Sequence, residues 1–275
     1  MADAKAIQKL RELEVKIALE IQRVCEKNGL RCFLVYGTLL GAVRHGGFIP
    51  WDDDMDMGML RADYEKFAEA CKTDLGPEYL WQSWDNDPSY PFIFGKVRLK
   101  GTHTKEKFSV EGAEDGIYVD VFAFDAVPDG VWAERFQRWW HYYGTRLLWM
   151  KKGYGRCIRD ESLRQRLRYA ITAAFVRLLP YEWLRRRIAW EQVRYEGLPT
   201  RRVAPYSRSY AERGWVDDLV PIMFEGKRFW AFRETDAYLR NLFGDYMKLP
   251  PENERVCHEF QHLDFGPYGG DAGQG

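Results

Sequence analysis

The sequence predicts an α/β core, of the mixed α+β kind, interrupted by a helical Arg/Trp-rich insert. Helical and strand-like patterns alternate along residues 1–130, which is the pattern of a sheet flanked by helices. A hydrophobic fraction of 46% with 16% aromatic residues gives a 275-residue chain ample material for a packed core. Charge marks the insert. Lys+Arg and Asp+Glu are equal at 41 each, yet Val131–Tyr195 carries 15 basic residues against five acidic ones (Glu134, Asp160, Glu161, Glu182, Glu191). The expected division is an α/β core at 1–130, a basic aromatic helical insert at 131–200, and a part at 201–275 that completes the core, with a frayed tail from about residue 266.

Residues 4–28 repeat apolar side chains every three or four positions (Ile7, Leu10, Leu13, Ile17, Ile21, Val24), which predicts an amphipathic helix stopped at Gly29. "RCFLVY" (31–36) is expected as a short buried strand. "GTLLGAVRHGG" follows as a turn into a short helix that leaves through a glycine pair. "DMDMGML" (54–60) is expected as a second strand and 61–75 as the helix after it. "IFGKVRLKGT" and "GIYVDVFAFDAV" read as two more strands, the second ended by the turn "PDG". Beyond the insert, 223–232 is strand-like, 233–244 helical, and "DYMKLPPENER" a loop.

Several classes are not expected. The N-terminus is charged and lacks the apolar stretch of a secretory signal, and no run reaches the length of a membrane span. The five cysteines are scattered with no CxxC pair, so neither a zinc site nor a disulfide framework is expected.

The chemistry concentrates in "WDDDMDMGML". On a strand, Asp54 and Asp56 share one face about 7 Å apart, while Met55 and Met57 face the opposite, buried layer. Two adjacent carboxylates need a cation, and a hard divalent ion, Mg²⁺ or else Mn²⁺, suits all-oxygen ligands. Asp120 lies mid-strand among apolar residues, a costly place unless it is paired or metal-bound. Asp125, at the end of that strand, is expected to cap a turn. Gly37 and Thr38 open a helix directly after a strand, where backbone N–H groups favour an anion. Each piece also has a plainer reading: an acidic loop, a buried Asp paired with Arg, a tight turn. Together they form a constellation suited to phosphate and metal.

"YGTLLGAVRHGGFIPWDDDMDMGMLRADYEKF" resembles the signature of the LicD family of phosphotransferases, which includes bacterial phosphocholine transferases and is related to the fukutins. Weaker matches follow in "KVRLKGT", "IYVDVFAFD" and "LFGDYMKLPPENER". The resemblance implies a nucleotidyltransferase-like mixed sheet flanked by helices, with Mg²⁺ held by Asp54, Asp56 and Asp120. It implies transfer of a phospho-alcohol from a CDP-alcohol, such as CDP-choline or CDP-ribitol, to a sugar hydroxyl of a cell-surface glycan or its lipid-linked precursor, releasing CMP. The zinc site and membrane anchor of some fukutin relatives are not expected here.

Asp120 and Asp53 are the candidate bases for the acceptor hydroxyl. Arg44, Lys96 and Arg98 are candidates to neutralise the leaving group, and His45 to contact phosphate; Lys248, a candidate substrate-binding residue, falls with Asp245 in a segment expected as a closing loop or a structural turn. Trp51, Trp81, Trp84 and Tyr90 could cage a quaternary ammonium. The insert is expected either to lie on an anionic membrane or to be packed helices with solvated arginines. Nucleic-acid binding is not expected, because no such motif accompanies the charge. The expected location is the cytoplasm, at the inner face of the membrane. Two alternatives stay open: nucleotidyl transfer to a small acceptor, and an inactive membrane-associated scaffold.

Overall fold

The structure is a computed structural model that describes residues 4–106, 115–152, 163–205, 210–252, 255 and 260–269. Cys157, Cys257, the Asn253–Glu254 pair of the C-terminal loop and residues 270–275 of the expected tail lie outside the described residues.

Helix α1 (Ala4–Lys27) buries the stripe read from its sequence, including Leu10, Leu13, Ile17, Ile21 and Val24. A mixed sheet forms the core. Its order runs β1 (Phe33–Leu34), β2 (Asp56–Leu60), β6 (Tyr118–Val127), β4 (Gly95–Leu99), β3 (Tyr79–Gln82). β2 and β6 are parallel, and the other pairs are antiparallel. β6 is buried along its whole length, as its near-continuous apolar sequence requires of a strand covered on both faces. Its far end also pairs with β7 (Arg202–Ala204), which pairs with β8 (Ala211–Glu212), so the region after the insert extends the same sheet.

Helices α2 (Tyr36–His45) and α3 (Arg61–Asp74) follow β1 and β2. The strand expected at 31–36 pairs over only two residues, and the strand expected from 54 starts at Asp56. The strand expected at 223–232 is instead a hairpin, β9 (Leu219–Phe224) and β10 (Lys227–Phe232), joined at Glu225–Gly226. Both turn residues have positive φ, 48° and 68°, the geometry of a two-residue hairpin turn whose twist matches the strands. Asp125 does not cap a turn. It lies within β6 and receives both the Nε (2.6 Å) and Nη2 (2.9 Å) donors of Arg61 from α3.

The insert folds as α4 (Val131–Lys151), α5 (Leu163–Leu178) and α6 (Tyr181–Val193). After the hairpin, α7 (Arg213–Asp217) having preceded it, comes α8 (Thr235–Phe243), then the loop through Pro251. β11 (Phe260–Asp264) returns to pair with β5 (His103–Glu106), and Gly266–Tyr268 forms a 3-10 turn at the start of the segment read as a tail. No described helix is long and apolar enough to cross a membrane.

Candidate active site

Sheet register builds the acidic centre. Asp56 on β2 stands beside Asp120 on β6, Asp120 beside Lys96 on β4, and Lys96 beside Gln82 on β3. A row of four polar residues thus crosses four strands of the sheet. Lys96 Nζ lies 2.6 Å from Asp120 Oδ1, with both side chains buried. The ammonium also sits 3.2 Å from the centre of the Tyr118 ring, with Phe92 and Phe94 beside it. Lys96, expected to neutralise a leaving group, therefore neutralises Asp120. Arg98 is two residues further along β4 and is committed elsewhere, donating to Gln82 Oε1 and to the Gly116 carbonyl.

Asp53, Met55 and Met57 are buried, while Asp54 and Asp56 are partly exposed, so the expected alternation of faces holds although Asp54 precedes the strand proper. Asp52, Asp54 and Asp56 line one cleft of about 770 Å³ with Tyr36, Gly37 and Arg44; its opposite wall is the 242–251 segment, including Asp245, Tyr246 and Lys248. Asp53, read as a possible base, is 2% exposed and does not line this cleft. Asp52 does line it. One residue of register decides this, because neighbouring positions in extended chain face opposite ways.

Burial pushes the Asp56 carboxyl well above its ordinary range, and the charges of Asp54, Asp120 and Asp52 push it further; Lys96 opposes them. Negative charge at this centre exceeds what Lys96 offsets. The donor set is all oxygen, so its chemistry fits a hard divalent ion held by Asp54 and Asp56 with further oxygens from substrate. Among the described residues, no three His, Cys, Asp or Glu side chains are grouped to ligate one ion. Asp120, expected as a third ligand, is paired with Lys96.

The N-terminus of α2 faces the same cleft. Its N-cap, Val35, offers no side-chain acceptor to the first helical N–H groups. A Cβ on Gly37 would stand 2.7 Å from Asp52 Oδ2, so only glycine lets that carboxylate approach. Tyr36 takes a positive φ of 50°, strain of the sort found at functional sites. Thr38 is buried, and its hydroxyl accepts the Asp56 N–H at 2.8 Å. Its role is to fix the acidic strand to α2. Arg44 donates to the Tyr246 carbonyl at 2.7 Å and so ties α2 to the C-terminal wall. His45 is exposed at the far end of α2 and does not line the cleft.

Of the aromatic candidates, Trp51 lines the cleft, with the guanidinium groups of Arg255 (4.8 Å) and Arg44 (5.9 Å) against its ring. Trp81 packs on Tyr64 and Phe67 in the core, Tyr90 is buried, and Trp84 lies against Arg185. None of these three lines the cleft.

Two further residues, missed in the sequence, bear on the acidic loop: Arg11 holds it, and the Glu14 carboxyl feels its charge. Arg11 on α1 donates to the carbonyls of Ile49, Pro50 and Asp52. Glu14, in the buried stripe of α1, has its carboxyl raised well above its ordinary range, first by burial and then by Asp54, Asp53 and Asp52. A glutamate four residues after Leu10, in the midst of an apolar stripe, was the available signal.

Residues 29–151 match the model of the family described as LicD/FKTN/FKRP, nucleotidyltransferase domain. This chain carries a LicD family domain. That stretch holds Gly37, the Asp52–Asp56 cluster, Lys96 and Asp120, whereas the Lys248 wall lies outside it. The lipopolysaccharide cholinephosphotransferase LicD of Haemophilus influenzae is 26% identical over 255 residues, 86% of this chain and 90% of that protein. The ribitol 5-phosphate transferase FKRP of Homo sapiens is 52% identical over 53 residues, 19% of this chain and 11% of that protein. The nucleotidyltransferase label for this LicD domain comes from the family description; the coordinates give the mixed sheet and its flanking helices.

Proposed function

We propose that this protein, through its LicD-family domain, is a phosphotransferase that moves a phospho-alcohol from a CDP-alcohol to a sugar hydroxyl of a glycan or glycolipid and releases CMP. The observation that carries the reading is one cleft in which Asp52, Asp54 and Asp56 meet the N-terminus of α2, with Asp120 next in register. The two relatives named for transfer of an alcohol phosphate support the same class.

In this reading the acceptor oxygen attacks the phosphorus bearing the alcohol, the bond from that phosphorus to the CMP oxygen breaks, and the hydroxyl proton passes to a carboxylate. Asp120, in register beside Asp56 although it does not itself line the cleft, is the carboxylate proposed to take that proton. Asp54 and Asp56 would hold a divalent ion, which when bound neutralises diphosphate charge. The first turn of α2, whose N-cap Val35 has no side-chain acceptor, would offer N–H groups to a phosphate, and Lys248 on the facing wall would offer a positive charge to the leaving CMP. Trp51 offers an aromatic face to the alcohol or the base.

The test is incubation of the purified chain with Mg²⁺ and CDP-choline, CDP-ribitol or CTP, together with a glycan acceptor. CMP released from a CDP-alcohol with product formed on the glycan supports the proposal. Pyrophosphate released from CTP would instead assign nucleotidyl transfer.

A further inference from the structure

Helix α4 reverses the usual arrangement of an amphipathic helix in water. Its buried positions are Gln137, His141, Gly144, Thr145 and Leu148, of which only the last is a large apolar residue. Trp132, Phe136, Trp139 and Tyr143 succeed one another at four, three and four positions, the spacing of a single helix face, and all four are exposed. Trp132 is 79% and Trp139 51% exposed. Soluble proteins rarely leave such a stripe uncovered, so it marks an interaction surface.

The stripe is interleaved with cations. Arg135 lies over Trp132 at 5.2 Å and Arg146 over Tyr142 at 3.6 Å. The surface continues onto α6: Trp139 contacts Trp140, and Arg187 lies between Trp140 (5.0 Å) and the exposed Trp190 (4.4 Å). The neighbouring α5 contributes four arginines and no acidic residue to its sequence.

We propose that this α4–α6 surface seats the protein on an anionic lipid bilayer. Tryptophan and tyrosine rings are the side chains that rest at the headgroup level, with one apolar face and a polar edge. Arginines spread among them fit lipid phosphates, and the excess positive charge complements an anionic leaflet. The C-terminal end of α4 returns to the acidic row: Trp149 meets Phe92 at 6.0 Å, and Phe92 lies 5.4 Å from Lys96 Nζ. A helix lying on the bilayer would thus end against the buried Lys96–Asp120 pair, whose Asp120 is in register with Asp56. The docking stands whether or not the transfer reaction proves to be as proposed, since its test uses no donor substrate.

The test is co-sedimentation of the full chain with vesicles of phosphatidylcholine mixed with phosphatidylglycerol, against vesicles of phosphatidylcholine alone. Binding is expected to the anionic vesicles and to weaken as salt is raised. The Trp132→Ser/Trp139→Ser variant and, separately, the Arg135→Glu/Arg146→Glu variant should each lower partitioning at least about ten-fold. All four side chains are exposed, so thermal unfolding of both variants should match the parent. Equal binding to both vesicle types, no binding, or binding unchanged in both variants would overturn the proposal. So would a dimer in sedimentation equilibrium that the tryptophan variant dissolves, because the face would then join two copies of the chain.

Discussion

Replacing Lys96 by methionine keeps the length and apolar stem of the side chain and removes its charge. Asp120 would then stand in the sheet with its 2.6 Å partner gone, next to Asp56 and with Asp54 close by. Lys96 is 4% and Asp120 9% exposed, so water cannot replace the ammonium cheaply. Breaking one side of a buried ion pair costs about 3–5 kcal/mol, and the lost contact with the Tyr118 ring adds about 1 kcal/mol. For a chain of this size that is a fall of roughly 10 °C or more in the unfolding midpoint. The assay is thermal and urea unfolding of Lys96→Met, Asp120→Asn and the double variant. The double variant removes both charges and should be clearly more stable than the sum of the single losses implies, with a coupling of at least about 2 kcal/mol. Additive losses, or a Lys96→Met variant within about 0.5 kcal/mol of the parent, would refute the pairing as the reason for the lysine.

Other substitutions separate the roles of neighbouring residues. Asp54→Asn and Asp56→Asn should each reduce Mg²⁺-dependent CMP release by about a hundred-fold or more, whereas Asp53→Asn, off the cleft, should keep turnover within about ten-fold of the parent; steady-state kinetics of the three decides. Gly37→Ala places a methyl group 2.7 Å from Oδ2 at the end of the Asp52 side chain, which can turn aside, so it should cost less than about 1 kcal/mol in unfolding yet lower kcat/KM about ten-fold. His141 is buried on α4, and burial, then the Arg61 charge, lowers its pKa to about 4 from an ordinary 6.5. The unfolded chain therefore binds the extra proton first, and stability present above pH 6.5 is lost as pH falls towards 4, by about 3 kcal/mol. Subtracting the stability–pH curve of His141→Gln from that of the parent should recover this slope; a flat difference would refute it.

The fold was legible where local pattern and tertiary packing agree. The α1 stripe repeats its period in the structure, the unbroken apolar run of β6 is buried throughout, and the region of helical pattern at 131–195 forms helices. The hairpin at 219–232 was less legible because Glu225–Gly226 sits inside a run of strand formers, and pairing of Phe224 with Lys227 is a fact about two strands. β11 reaches β5 across most of the chain, and no local signal announces that contact.

At the candidate site, the sequence by itself determined that Asp54 and Asp56 share a face and that Gly37 opens a helix beside them. Both follow from the fixed two-residue alternation of extended chain and from a glycine between strand and helix. Only the tertiary structure decided what surrounds them. Parallel pairing of β2 with β6 puts Asp120 beside Asp56, and antiparallel pairing of β4 gives Asp120 to Lys96. The same packing takes Asp53 out of the cleft, brings Asp52 into it, and closes it with a wall some two hundred residues further along the chain. Register between distant strands sets these distances, and register is fixed by the whole core.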